Sequence, residues 1–118
     1  MKSANKITGN IGENLAAEYL EEKGYKICER NWHYSRFGEV DIIALEKETL
    51  VFVEVKTRKT TSFGHPFEAI DEKKVNQIKS VAQGFLGQTN LKYKNCRIDG
   101  ISVLLTNPPT VEHIKNIF

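Results

Sequence analysis

Gly38-Glu39-Val40-Asp41-Ile42-Ile43-Ala44 and Val51-Phe52-Val53-Glu54-Val55-Lys56 are two strongly apolar runs, and each carries an acidic residue inside it. Val, Ile and Phe at this density favour strands. Between Leu45 and Leu50 stand only Glu46-Lys47-Glu48-Thr49, a length suited to a two- or four-residue hairpin loop. With Glu46 opposite Thr49, antiparallel pairing sets Ile43 across from Phe52, Asp41 across from Glu54 and Glu39 across from Lys56, all on one face. Opposed residues have β-carbons about 5 Å apart. Two carboxylates so placed repel, and half-buried charges are costly unless something pairs with them. The register therefore predicts a site in which a cation, a proton or Lys56 intervenes, and a divalent metal is the simplest cation.

The 118 residues, 40% hydrophobic, suit one domain over 1–118 with a single core. No apolar run approaches the roughly 20 residues that span a bilayer. The polar start from Met1 to Asn10 lacks the hydrophobic segment of a signal peptide. A cytoplasmic protein without a membrane partner is the expectation. Cys28 and Cys96 stand alone in strand-like segments without metal-ligand spacing, which predicts buried free thiols. The net charge of +2 is uneven: residues 1–55 hold 7 Lys/Arg against 10 Asp/Glu, and residues 56–118 hold 10 against 5. The basic half suits a polyanion, although a solvated helix face accounts equally well for part of it.

The elements around the hairpin follow from periodicity and punctuation. Ile11, Leu15, Ala16, Tyr19 and Leu20 recur at helical spacing, predicting a helix over 9–23 that Gly24 stops. Gly12 and Ala16, four apart, would let its backbone approach a sheet. Glu13 falls at the stripe's edge, either leaning over the core's rim toward the acids or standing in solvent. Residues 25–32 read as a strand, followed by an aromatic and basic loop, His33 to Phe37. Thr57 to Pro66 reads as a polar loop with hydroxyls, two cations and one imidazole, and His65, before a proline, as a turn residue. Asp71 caps a second helix to about Leu86, with Val75, Ile78, Ala82, Phe85 and Leu86 inward. A fourth strand over 97–105 and a short fifth over 111–117 complete an α/β fold, a mixed sheet flanked by helices.

Carboxylate oxygens, water and a substrate phosphate suit magnesium or manganese better than zinc. Such an ion stabilises a phosphodiester transition state, with Lys56 placed to hold or polarise the attacking water. At these residues the chain resembles the PD-(D/E)xK nuclease superfamily, with Asp41, Glu54 and Lys56 in its motif and Gly38-Glu39-Val40-Asp41 where a literal Pro-Asp would stand. The wider string runs from Asn31-Trp32 through Arg36, Gly38 to Ala44 and Phe52 to Arg58, then Phe63-Gly64 and Ala69. It is similar to the small bacterial YraN-type branch and covers nearly the whole chain.

The resemblance implies a restriction-endonuclease-like αβββαβ core, close to archaeal Holliday-junction resolvases. It implies Asp41 and Glu54 as Mg2+ or Mn2+ ligands, with the Val55 carbonyl as a further one, and Lys56 positioning water. Glu13 would complete the catalytic set, and Arg36 and Arg58 would contact phosphate. Lys59, Lys73 and Lys74 extend the basic surface for nucleic acid. The expected activity is metal-dependent hydrolysis of structured or branched DNA, and a homodimer would suit a symmetric junction. Three other readings stay open: a non-catalytic nucleic-acid-binding module, a protein-assembly component, and an ionic cluster of Asp41, Glu54 and Lys56 without metal, in which Glu39 competes for Lys56.

Overall fold

Alternation in the apolar runs and the 3.6-residue stripes on either side of them produce one five-stranded sheet with a helix on each face. The computed structural model describes residues 2–60, 64–67 and 71–117, and side chains from Lys6 onward. In chain order the elements are α1 (Lys2–Glu22), β1 (Lys26–Tyr34), a 3₁₀ turn (Ser35–Phe37), β2 (Gly38–Glu46), β3 (Thr49–Arg58), α2 (Glu72–Leu86), β4 (Asn95–Leu104) and β5 (Thr110–Ile114). The strands lie in sequence order. All neighbours are antiparallel except β3 and β4, which run parallel because α2 carries the chain across between them. This is the expected α/β arrangement with an αβββαβ core.

The two faces bury separate clusters. Ala16 and Leu20 of α1 pack on Ile42, Val51, Val53, Ile101 and Val103 of the sheet. Val81 and Phe85 of α2 pack on Ile43, Leu50 and Phe52 of the other face. The predicted helix caps hold: Asp71 Oδ1 accepts from the Lys74 N–H at 2.9 Å, and Gly24 takes φ +92°. Gly12 sits where an added β-carbon would lie 1.8 Å from Thr57 Oγ1, so α1 rests backbone-first on β3 as its small residues suggest.

Several boundaries differ from expectation. Helix α1 starts at Lys2 rather than Gly9, and Ile11, expected inside, is 45% exposed. With Gly12 and Ala16 against the sheet, Ile11 is turned about 100° away from that contact. Val81 replaces Val75 on the buried stripe of α2. Thr57 and Arg58 belong to β3, where β4 pairs with them, and not to a loop. Cys96 is exposed rather than buried, because it stands at the outer end of β4; both thiols are free. No helix among the described residues is long and apolar enough to cross a membrane.

Candidate active site

The β2–β3 ladder follows the predicted register, Glu46 with Thr49 and Ile43 with Phe52, as far as Ile42 with Val53. It ends there, one step before Asp41 and Glu54. Beyond that point the Val55 N–H donates to the carboxylate of Asp41, Oδ2, at 2.7 Å. Asp41 therefore meets β3 through its side chain and not as a ladder partner of Glu54. Because the β2–β3 ladder ends at Ile42 and Val53, the expected Glu39–Lys56 opposition is not formed; Glu39 keeps only its pairing with His33 of β1.

A local rotation of the strand explains the break. Strand residues two apart normally share a face. Val40 nonetheless packs with the α2-side core and Ile42 with the α1-side core. On β1, Asn31 lies between the pairs Arg30–Ile42 and Trp32–Val40 and adopts φ +50°, a left-handed conformation that Asn tolerates better than most residues. Two neighbouring strands are thus distorted at one level, and both distortions aim polar side chains at the rim of the sheet.

Four carboxylates gather at this rim. Asn31 Nδ2 donates to Glu13 Oε1 at 2.8 Å, which answers the open question of that glutamate in favour of the rim. Burial, then the negative charge of Glu54, pushes the Asp41 carboxyl up to about 7; the Val55 N–H opposes the shift, and Glu13 and Glu39 add to it. Glu54 is 5% exposed, and its Oε1 faces both Lys56 Nζ at 3.6 Å and Lys74 Nζ at 3.5 Å. Lys74 reaches it from the first turn of α2. A cavity of about 390 Å³ opens beside the group, bordered by Lys6, Gly9, Asn10, Glu13, Asn31 and Glu39.

The remaining sequence candidates lie around this centre in different states. Arg36, Lys59 and Lys73 are exposed. Arg58 is partly buried, and its guanidinium donates to the Gly64 carbonyl, tying the end of β3 to the following segment. His65 clasps Glu112 of β5 through Nε2 and accepts the Phe67 N–H at Nδ1, a role its position before proline does not disclose. Thr61, Ser62, Phe63 and Ala69 lie outside the described residues. Sequence reasoning missed Asn31 as a partner of Glu13 and gave Lys74 to phosphate alone. The 3.6-residue repeat does place Lys74 near the N-terminus of α2, but only the crossover brings that end over Glu54.

Among the described residues no three His, Cys, Asp or Glu side chains converge into a ready-made metal cage. The donors present still fit a hard divalent ion. Magnesium keeps several waters and typically takes only one or two carboxylates, and an ion beside Asp41 would offset the burial and the Glu54 charge that disfavour its ionised form. Glu54 faces two ammonium groups and Asp41 receives one backbone N–H, so Asp41 is the carboxyl whose ionised form a metal ion would favour most.

Fold and site together define an α/β protein with an acidic, lysine-flanked centre at the rim of a mixed sheet. The model of UPF0102, described as an uncharacterised protein family, matches residues 12–103, and the chain belongs to that family. A UPF0102 protein of Caldanaerobacter subterraneus subsp. tengcongensis is 47% identical over 124 residues, spanning 100% of both chains. One from Persephonella marina is 47% identical over 112 residues, 95% of this chain and 93% of its own. Another, from Geobacter sulfurreducens, is 46% identical and covers 97% of this chain and 90% of its own.

Proposed function

We propose that this chain is a PD-(D/E)xK-type, metal-dependent endonuclease that hydrolyses phosphodiester bonds in structured or branched DNA. The observation that supports it most is the Asp41 carboxyl where β2 leaves β3, pushed up to about 7 by burial and by the nearby charge of Glu54, with Glu13 adding to the shift. Strand distortion is maintained here around a buried carboxyl with a strongly shifted pKa, which a folding role alone does not require.

Asp41 and Glu54, with the Val55 carbonyl, would hold Mg2+ or Mn2+, and Glu13 would stand behind them. The ion would supply electrostatic stabilisation of a pentacovalent phosphate and a lowered pKa for water. Lys56, kept by Glu54 at 3.6 Å, orients the attacking water and donates to it or to a phosphate oxygen. Lys74, at 3.5 Å from the same oxygen, adds positive charge where negative charge accumulates on phosphate. Asn31 fixes Glu13 by its hydrogen bond. Exposed Arg36, Lys59 and Lys73 serve phosphates farther along the strand.

The second reading, a binding module without turnover, draws on one observation: Glu54 already faces two ammonium groups. Nicked, flapped and four-way DNA, incubated with magnesium or manganese, separates the two. The enzyme cuts at least one of them, and Asp41→Asn stops cutting while binding persists. Uncut substrates across both metals, with DNA retained at low salt, leave the binding module.

A further inference from the structure

Outside the carboxylate centre, three aromatic rings lie nearly parallel along the β1 edge. Trp32 and Tyr34 stack with centroids 5.8 Å apart and planes 10° apart. Tyr34 and Phe37 follow at 5.6 Å and 16°. The inner end is fixed: Phe85 meets Trp32 edge-on at 5.2 Å, and Tyr34 lies flat against Gly84, where a β-carbon would come within 2.6 Å of the ring. The outer end is open. Phe37 is 44% exposed, although an aromatic ring of its size gains most when covered.

What surrounds this open ring is cationic and polar. Exposed Arg36 is its neighbour in the 3₁₀ turn, and exposed Arg30 and His33 stand farther back along β1. A cavity of about 260 Å³, bordered by Tyr34, Phe37, Ser80, Gln83 and Gly84, offers a hydroxyl and an amide beside the stack. A protein partner would favour a broad apolar patch; a single flat face with guanidinium neighbours favours a base attached to phosphate. Phe37 also precedes Asp41 by four residues on one chain, at most about 13 Å even at the rise of a fully extended strand. That spacing is within the reach of a short stretch of nucleic acid engaged at the carboxylate centre.

We infer that the exposed face of Phe37 stacks on an unpaired base of a polynucleotide whose phosphates run beside Arg36, continuing the Trp32–Tyr34–Phe37 column by one ring. This rests on the nucleic-acid reading above and specifies the substrate as one with unpaired bases next to the scissile region.

The test measures fluorescence anisotropy of labelled flapped DNA and of a fully paired duplex with the full chain, in calcium to prevent cutting. Phe37→Ala weakens flap binding about ten-fold or more, leaves duplex binding and the salt slope unchanged, and is matched by Phe37→Leu, whereas Phe37→Trp retains affinity. Equal flap affinity for wild type and Phe37→Ala overturns the inference alone, as does a Leu variant that binds like wild type. Wild-type protein that binds no DNA removes the nucleic-acid reading and this inference together. Two further outcomes also overturn it: adenosine monophosphate displacing the flap at micromolar concentration, which points to a free nucleotide, and self-association abolished by Phe37→Ala without DNA binding, which points to a protein surface.

Discussion

Asp41 and Glu54 are both acids in apolar strands, yet their environments assign them opposite effects on stability. Asp41 keeps its proton up to about 7, against 3.8 for the unperturbed group, because burial and Glu54 disfavour its charge. Between these values the folded chain binds a proton that the unfolded chain has released, so metal-free stability falls as pH rises through about 7, by up to about 1.4 kcal/mol per pH unit. Asp41→Asn therefore raises the metal-free melting temperature at pH 8 and flattens its pH dependence over that window, which scanning fluorimetry at several pH values checks. The same variant loses the thermal stabilisation that millimolar manganese gives wild type. Glu54→Gln goes the other way: it leaves Lys56 and Lys74 facing a neutral amide and lowers stability by about 1–3 kcal/mol in urea unfolding. The hairpin made Asp41, Glu54 and Lys56 visible as a group in the sequence, although Asp41 meets β3 through the Val55 N–H and not opposite Glu54. Asn31 and Lys74 were not visible as members, since each arrives from a different element.

Helix α1 bears on the centre through its contact with β3. Gly12 leaves no room for a side chain against Thr57, and Glu13 follows it directly onto the rim. Gly12→Val should push the helix off the strand, lowering stability by about 1–3 kcal/mol. Thr57→Gly in the same chain should recover part of that loss, as paired urea titrations would show. Helix α2 depends on its N-terminus, where Asp71 caps the turn that presents Lys74. Asp71→Ala should cost about 1 kcal/mol. Both helices were legible from period and punctuation, including the Gly12–Ala16 approach. The outward turn of Ile11 was not, because an apolar residue at the edge of a stripe can face either way until the sheet's position is known.

The sheet as a whole is held by a second polar network, separate from the carboxylate centre and beneath α1. Asp99, fully buried on β4, accepts from Arg97 Nε at 3.0 Å and from the Asn116 N–H at 2.8 Å, and it faces His113 Nε2 at 2.8 Å. Arg97 Nη2 in turn donates to the Tyr25 hydroxyl and to Glu46, so residues before β1, on β2 and on β4 meet through Arg97, and Asp99 brings in His113 of β5. Burial alone would raise the Asp99 pKa, but the bonds from His113, Arg97 and Asn116 outweigh it and hold the carboxyl below its usual range. Its contribution is present above about pH 4 and is lost as pH falls through the lowered value. Asp99→Asn should destabilise at pH 7 by about 3–5 kcal/mol and remove part of the acid-unfolding slope, which circular dichroism over pH 2–5 would detect. Local chemistry alone specified the order of strands and helices, the caps at Gly24 and Asp71, and the hairpin that carries Asp41, Glu54 and Lys56, because periodicity, turn length and capping act between residues close along the chain. The rotation of β2 at Asp41, the reach of Asn31 and Lys74, and the burial of Asp99 emerged only on folding. They depend on how two helices settle against opposite faces of a sheet, and that packing is set by contacts between residues far apart in the chain.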